Sequence, residues 1–97
     1  MVAAALGIEL RVPSAHSLKD KRAVIRPLIA GLERLASLSV AEVGRHDSWQ
    51  RARIGVGVVA SSPGHLEGLL AAVRGYLDDQ VEVDVLDVKV SYLEEAW

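Results

Sequence analysis

Cysteine and phenylalanine are absent from this chain of 97 residues, and two tryptophans and two tyrosines supply its only aromatic rings. Without cysteine the chain has no disulfide, no thiolate nucleophile and no thiolate metal ligand. Asparagine is also missing, and this depletion of thermolabile amides favours a thermophilic source. No apolar run approaches the roughly 20 residues that span a bilayer, and the N-terminus lacks the basic start of a secretory signal. These absences predict a cytoplasmic protein with an aliphatic core and no membrane association.

The residues that are present are typical of one globular domain. Hydrophobic residues make up 51% of the chain and charged residues 25%, which is far from the composition of disordered proteins. The length predicts a single domain over residues 1–97. The net charge is -2, yet residues 11–26 hold five basic side chains against one acidic, whereas residues 78–97 hold seven acidic against one basic. This asymmetry predicts a basic and an acidic region on one molecule.

Hydrophobic periodicity predicts four strands and two helices. Apolar residues alternate in the strands and recur every three to four residues in the helices. With two helices on one face and right-handed crossovers, the order predicts an α+β fold, a ferredoxin-like βαββαβ two-layer sandwich with antiparallel strand order 4-1-3-2. A two-layer fold with another strand order is the alternative. The predicted elements are strands at Val2–Val12, Val40–Val43, Ala52–Val58 and Val81–Tyr92, with helices at Leu18–Ala36 and Pro63–Asp79.

Two local features refine these elements. Pro27 lies inside the first predicted helix, on the side away from its apolar stripe, and we expect a bend there or a helix in two pieces. In the last predicted strand the apolar residues change from odd-numbered to even-numbered positions, which predicts a β-bulge near Val85. The apolar stripe of the first helix consists of Leu18, Ile25, Leu28, Ile29, Leu32 and Leu35.

Basic residues concentrate near one predicted end of the sheet. The topology brings the turn before the first helix and the hairpin between the second and third strands to the same end, where free helix amides also favour anions. A tryptophan in the hairpin could stack on an unpaired base. The alternative is a solvated basic face with a tryptophan that plugs the end of the sheet. The predicted nucleic-acid-binding residues are Lys19, Arg22, Arg26, Arg45, Trp49, Arg51 and Arg53.

The sheet face that the helices leave uncovered carries small residues on its central strands. Ala3, Ala5, Gly7, Gly55 and Gly57 stand where a sheet that binds RNA by stacking would have aromatic rings. Stacking on this face is therefore not expected. Small residues instead allow another backbone to approach closely, so a homodimer contact through the open sheet face is a second hypothesis.

Catalytic and metal sites find little support in the sequence. The fold separates His65 from His16 and His46, so a site with three histidine ligands is not expected. His46 is followed by Asp47, which resembles half of a catalytic relay, but no oxyanion-hole motif accompanies the pair. The chain also lacks a phosphate loop and a dinucleotide fingerprint. We therefore predict no catalytic residues, no cofactor and no metal.

Three segments resemble the YlxP-like family of small bacterial proteins. They are Ser17–Arg22 (SLKDKR), Ala41–Gly44 (AEVG) and Trp49–Gly55 (WQRARIG), and they occur in the family's order and with compatible spacing. The resemblance implies a bacterial cytoplasmic protein whose relatives are encoded near translation and ribosome-maturation factors, and it carries over no catalytic residues. Together with the basic end, it predicts a non-enzymatic protein that binds structured RNA or a ribonucleoprotein such as the ribosome. A homo-oligomeric protein-interaction module is the alternative.

Overall fold

Six elements follow one another in the order strand, helix, strand, strand, helix, strand. The computed structural model describes residues 1–94. The elements are β1 (Val2–Arg11), α1 (Leu18–Leu35), β2 (Ser39–Gly44), β3 (Arg51–Ala60), α2 (Pro63–Asp78) and β4 (Asp84–Glu94). The four strands form one antiparallel sheet in the order β2-β3-β1-β4. This is the predicted order read from the opposite edge, and the ferredoxin-like βαββαβ architecture is confirmed.

The core lies between the two helices and the central strands. Every second residue of β1 and β3 is buried, as with Ile8 and Ile54, and the alternate residues face the opposite side of the sheet. Ile25 and Leu32 of α1, together with Leu70 of α2, complete this aliphatic cluster. Each fully buried side chain of this size contributes about 1.5 to 3 kcal/mol. The other face of the sheet remains uncovered by the helices.

Both helices begin where the sequence predicts, at Leu18 and Pro63, and each follows a serine cap. The Ser17 hydroxyl accepts a hydrogen bond from the Asp20 amide at 3.0 Å, and the Ser62 hydroxyl accepts one from the His65 amide at 3.2 Å. Pro27 is exposed, but α1 runs unbroken across it, so the alternative of a helix in two pieces is wrong. Within residues 1–94, neither helix is both long enough and apolar enough to cross a membrane.

The helices meet where a glycine makes room for a tyrosine. Gly31 is buried on α1, and a Cβ atom built there would lie 1.9 Å from the Tyr76 hydroxyl oxygen of α2. That hydroxyl donates a hydrogen bond to the Leu28 carbonyl at 3.2 Å. The close approach of the two helices therefore depends on the missing side chain at position 31.

The last strand begins later than its apolar alternation predicts. Val81 lies before β4 and is 96% exposed, whereas Val83 is buried although it precedes the strand. The predicted start at Val81 is wrong because residues 81–83 form the connection from α2 to the sheet. The predicted bulge is confirmed: Glu9 pairs with Asp87 and Leu10 with Val85, which leaves Leu86 as the extra residue.

Candidate anion-binding cleft

The uncovered sheet face carries charged side chains at the end near the β2-β3 hairpin. Glu9 on β1 lies directly opposite Arg53 on β3 and Asp87 on β4. Two residues earlier on β1, Gly7 lies opposite Gly55 on β3 and Lys89 on β4. Because residues two apart on a strand share a face, all of these positions belong to the same surface.

These residues surround an open cleft of about 650 Å³. Its lining includes three arginines and one lysine against two carboxylates, so the formal charge of the lining is 4 - 2 = +2, on a chain whose net charge is -2. The cleft thus concentrates positive charge that the composition as a whole conceals. We refer to this feature as the arginine cleft, and it is lined by Gly7, Glu9, Arg45, Arg51, Arg53, Leu86, Asp87 and Lys89.

Glu9 is the central carboxylate of the arginine cleft. Its side chain is only 17% exposed, its Oε1 atom accepts a hydrogen bond from Arg53 Nε, and its Oε2 atom lies 3.5 Å from Arg45 Nε. The hydrogen bond from Arg53 lowers the pKa of Glu9, and the charges of Arg53, Arg45 and Arg51 act in the same direction against the effect of burial. Glu9 therefore stays ionised near neutral pH and orients two guanidinium groups.

Two cations of the cleft are available for an external anion. Arg51 and Lys89 have no carboxylate within ion-pair distance among residues 1–94, and both are exposed. Guanidinium and ammonium groups form charge-assisted hydrogen bonds to phosphate and carboxylate oxygens. The arrangement can therefore accept an anion without breaking an existing ion pair.

Gly7 gives the cleft a floor of bare backbone. A Cβ atom at Gly7 would have no heavy atom within 4 Å, so packing within the chain does not demand a glycine there. At the paired position Gly55, by contrast, a Cβ atom would lie 2.9 Å from Val43 Cγ1, a side chain that already occupies that space. Only the Gly7 side of the pair leaves the peptide plane open to a ligand.

A buried lysine positions the hairpin that carries the cleft arginines. Lys21 on α1 is only 2% exposed, and its Nζ atom donates hydrogen bonds to the carbonyl oxygens of Arg45 at 2.9 Å and Arg51 at 3.1 Å. The same Nζ atom lies 3.1 Å from Glu42 Oε2. Arg45 is held with a φ of 63°, the left-handed region that costs a non-glycine residue about 1 to 2 kcal/mol.

The sequence prediction missed Lys21, although a signal was present. Lys21, Ile25, Leu28 and Leu32 recur at helical spacing, and all four are buried. A lysine within an apolar stripe indicates a buried charge that needs partners. The predicted stripe also included Leu35, which is exposed because it lies in the last turn of α1.

The predicted meeting of the first turn and the hairpin is confirmed. The Val12 amide donates a hydrogen bond to the Gln50 carbonyl at 2.8 Å. The Gln50 side-chain amide donates to the carbonyl oxygens of Pro13 and Ala15, each at 3.1 Å. These bonds fix the connection before α1 against the hairpin.

The seven predicted binding residues do not form one patch. Arg45, Arg51 and Arg53 line the arginine cleft on the open sheet face, whereas Lys19, Arg22 and Arg26 line a shallow hollow on the outer side of α1. The expectation of a common patch is wrong because the arginines of β3 alternate with buried Ala52 and Ile54 and so point away from the helices. The two basic groups share an end of the molecule but face opposite directions.

The hairpin aromatic and histidine occupy exposed positions. Trp49 is 56% exposed, so it is not a buried plug at the end of the sheet, and it does not line the arginine cleft. His46 Nε2 lies 3.2 Å from the Glu42 carbonyl oxygen. In the part of the chain that the structure describes, no group of three histidine, aspartate or glutamate side chains is placed to hold a metal ion.

The chain shares its overall fold with a solved designed protein. It superposes on the de novo designed protein Foldit4 with a TM-score of 0.52 and 13% identity, covering 97% of this chain and 99% of that one. A designed protein described as having a ferredoxin fold gives a TM-score of 0.48, with 8% identity and coverage of 100% and 92%.

Sequence comparison identifies natural relatives. The chain is 33% identical over 76 residues to the uncharacterized protein YlxP of Bacillus subtilis (strain 168), covering 78% of this chain and 83% of the relative. Residues 3–90 match the family described as "Protein of unknown function (DUF503)". This chain, with its βαββαβ sheet and its arginine cleft, therefore belongs to the DUF503 family.

Proposed function

We propose that this protein binds structured RNA or a ribonucleoprotein such as the ribosome, without catalysing a reaction, and that the arginine cleft contacts the RNA backbone. The observation that carries the proposal is the convergence of Arg45, Arg51, Arg53 and Lys89 on one cleft. Arginine fits phosphate oxygens through two parallel hydrogen bonds, and phosphate contacts supply most of the affinity of nucleic-acid-binding proteins. Because ribosomes and their RNA lie in the cytoplasm, the proposal places this protein there.

The four cations would contribute unequally to binding. Arg51 and Lys89 are free of carboxylates among residues 1–94, whereas Arg45 and Arg53 share Glu9. A phosphate that contacts Arg45 or Arg53 must compete with Glu9 for their hydrogen bonds. These two arginines would therefore position the phosphate rather than add much affinity. We expect Arg51 to provide the largest share of the salt-dependent affinity.

Trp49 supports a contact with unpaired bases beside the cleft. Its indole belongs to the same hairpin as Arg45 and is more than half exposed. Stacking of one base on an aromatic side chain contributes about 1 to 3 kcal/mol. The basic hollow on α1 faces the other way, so Lys19, Arg22 and Arg26 would contact a different segment of a large RNA.

The test is binding of the protein to fluorescently labelled ribosomal RNA fragments, measured by anisotropy over a series of salt concentrations. Each neutralised phosphate contributes a slope of roughly 0.7 to 0.9 in the plot of log affinity against log salt. Arg51→Glu should weaken binding by at least about tenfold and reduce the slope. Binding that is absent, or that does not depend on salt, would contradict the proposal.

Two matched variants assign the effect to the cleft. Arg74→Glu makes the same change of charge at an exposed position on α2, away from the cleft, and should leave affinity within about twofold. Arg22→Glu tests the hollow on α1. Loss of binding in Arg22→Glu with retention in Arg51→Glu would move the interface to the helix layer and remove the cleft from the proposal.

A homo-oligomeric protein-interaction module is the second candidate function. At the end of the open sheet face away from the cleft, Val59 and Leu93 are exposed on either side of Ala3, with which both are paired in register. Such an apolar patch gains by being covered. In a face-to-face dimer built on this patch, Val59→Arg should produce monomers in light scattering, and an unchanged mass would exclude that contact.

A further inference from the structure

The strand β4 is a long edge with little cover from the rest of the chain. It has eleven residues against six in β2, the other edge, and none of its side chains is fully buried. Val85, Leu86, Tyr92 and Leu93 are all exposed. An edge strand presents unpaired backbone amides and carbonyls, and natural proteins cover or blunt such edges because they pair readily with another strand.

Two opposite charges on this edge lack partners within the chain. Asp87 and Lys89 both lie on the open sheet face, paired in register with Glu9 and Gly7. Neither forms an ion pair among residues 1–94. Asp87 stands directly opposite Glu9, whose charge Arg53 and Arg45 already compensate. A positive charge from outside would therefore supply Asp87 with the ion-pair partner that residues 1–94 do not provide.

We propose that two copies of this chain pair antiparallel through β4, with a twofold axis at Val88, to form a continuous eight-stranded sheet. The charges specify this register. Residues that lie directly opposite each other on neighbouring strands point to the same face of the sheet. In a twofold-symmetric pair of strands this is true only when the axis passes through a residue that lies opposite its own copy. With the axis at Val88, Asp87 faces the partner's Lys89, and Lys89 faces the partner's Asp87.

The neighbouring registers oppose like charges. An axis at residue 87 places Asp87 opposite the partner's Asp87, and an axis at residue 89 places Lys89 opposite the partner's Lys89. Direct like-charge pairs are unfavourable. An axis at residue 90 pairs each charge with an uncharged residue, since position 87 then faces position 93 and position 89 faces position 91. Among these registers, only the one centred on Val88 forms two complementary pairs.

Charge reversal with exchange of the two residues tests the pairing. Light scattering after size-exclusion chromatography should give a dimer for the natural sequence. Asp87→Lys and Lys89→Glu each create two like-charge pairs and should weaken the dimer by at least about tenfold. The double variant D87K/K89E restores both pairs with reversed polarity and should dimerise again. A natural chain that stays monomeric, or a double variant no better than either single one, would overturn the inference.

Cysteine cross-linking tests the register itself. The chain has no cysteine, so each introduced thiol is unique. Val88→Cys places two thiols face to face on the axis, and mild oxidation should yield a covalent dimer. In the control Val90→Cys, the two thiols lie four positions apart, roughly 13 Å at 3.3 Å per residue, beyond the reach of a disulfide.

The outcomes of these experiments separate the competing arrangements. Cross-linking of Val90→Cys, or of neither variant, would exclude the register centred on Val88. A dimer that Val59→Arg dissolves and that the β4 charge reversals leave intact would assign self-association to the open face. Because this inference does not rest on RNA binding, loss of the RNA affinity alone leaves it standing. Thermal unfolding curves confirm that each variant is folded.

Discussion

At the scale of single residues, Lys21 joins the two layers of the molecule by polar contacts. A buried ammonium group is stable only where hydrogen bonds and an opposite charge compensate its desolvation. Lys21 has two backbone carbonyls and the Glu42 carboxylate within 3.1 Å. Removal of the ammonium group takes one hydrogen-bond donor from each of the Arg45 and Arg51 carbonyls and the opposite charge from Glu42.

We expect Lys21→Met to destabilise the protein by about 3 kcal/mol, because it leaves a largely buried carboxylate without its partner. The double variant K21M/E42Q should lose less stability than the sum of its two single variants, with a coupling of roughly 1 to 3 kcal/mol. Free energies of unfolding from urea titrations measure both effects. The control Lys19→Met lies exposed on the same helix and should change stability by less than about 0.5 kcal/mol. Equal effects at positions 19 and 21 would contradict this role.

Glu9 makes part of the stability depend on pH. Because its folded-state pKa lies below the ordinary value of 4.5, its ionisation stabilises the fold fully above that value. The contribution is lost as the pH falls through the lowered folded-state pKa. The cause is chiefly the hydrogen bond from Arg53.

Glu9→Gln should therefore lower stability at neutral pH and reduce the loss of stability on acidification. Comparison of urea midpoints at neutral and acidic pH, for the natural chain and the variant, measures this difference. Glu67→Gln, on the exposed side of α2, is the matched control and should keep the natural pH dependence. If Glu9→Gln keeps the same dependence, the interaction with Arg53 does not contribute as described.

At the scale of elements, the contact between α1 and α2 depends on shape. Gly31 leaves room for the rigid ring of Tyr76, whose Cζ atom would lie 2.6 Å from an added Cβ atom. The exposed glycines Gly68 and Gly75 of α2 would meet nothing within 4 Å. The same chemical change should therefore have opposite effects in the two helices.

We expect Gly31→Ala to destabilise the protein by about 1 to 3 kcal/mol, because the ring of Tyr76 must shift out of a packed contact. Gly68→Ala should stabilise it by about 0.5 to 1 kcal/mol, since alanine favours the helix and no atom obstructs it. Thermal unfolding measures both variants. A stabilising Gly31→Ala would show that the tyrosine moves freely.

The elements themselves could be read largely from the sequence. Apolar residues that alternate in the strands and recur every three to four residues in the helices predict these elements, because such signals are local. The start of β4 could not be read in this way, since Val81, Val83 and Val85 continue the alternation of a strand while the chain is still crossing from α2 to the sheet. Tertiary connection, rather than local propensity, determines that boundary.

At the scale of the whole molecule, sequence reasoning found the correct end but joined two surfaces that the fold separates. The alternation of Arg51 and Arg53 with Ala52 and Ile54 already indicates a face opposite to the helices. The contributions of Glu9, Asp87 and Lys89 to the cleft could not be predicted without the register of three strands. A cleft that crosses a sheet is a property of pairing, which no single segment encodes.

The clamp formed by Lys21 has a consequence for recognition. The two residues whose carbonyl oxygens it holds, Arg45 and Arg51, are also two of the residues whose side chains line the cleft. Their backbone is thus immobilised from the rear before any ligand arrives, and association need not supply the entropy of ordering that loop. An anion that entered the cleft would therefore meet arginines whose backbone the helix layer already holds in place.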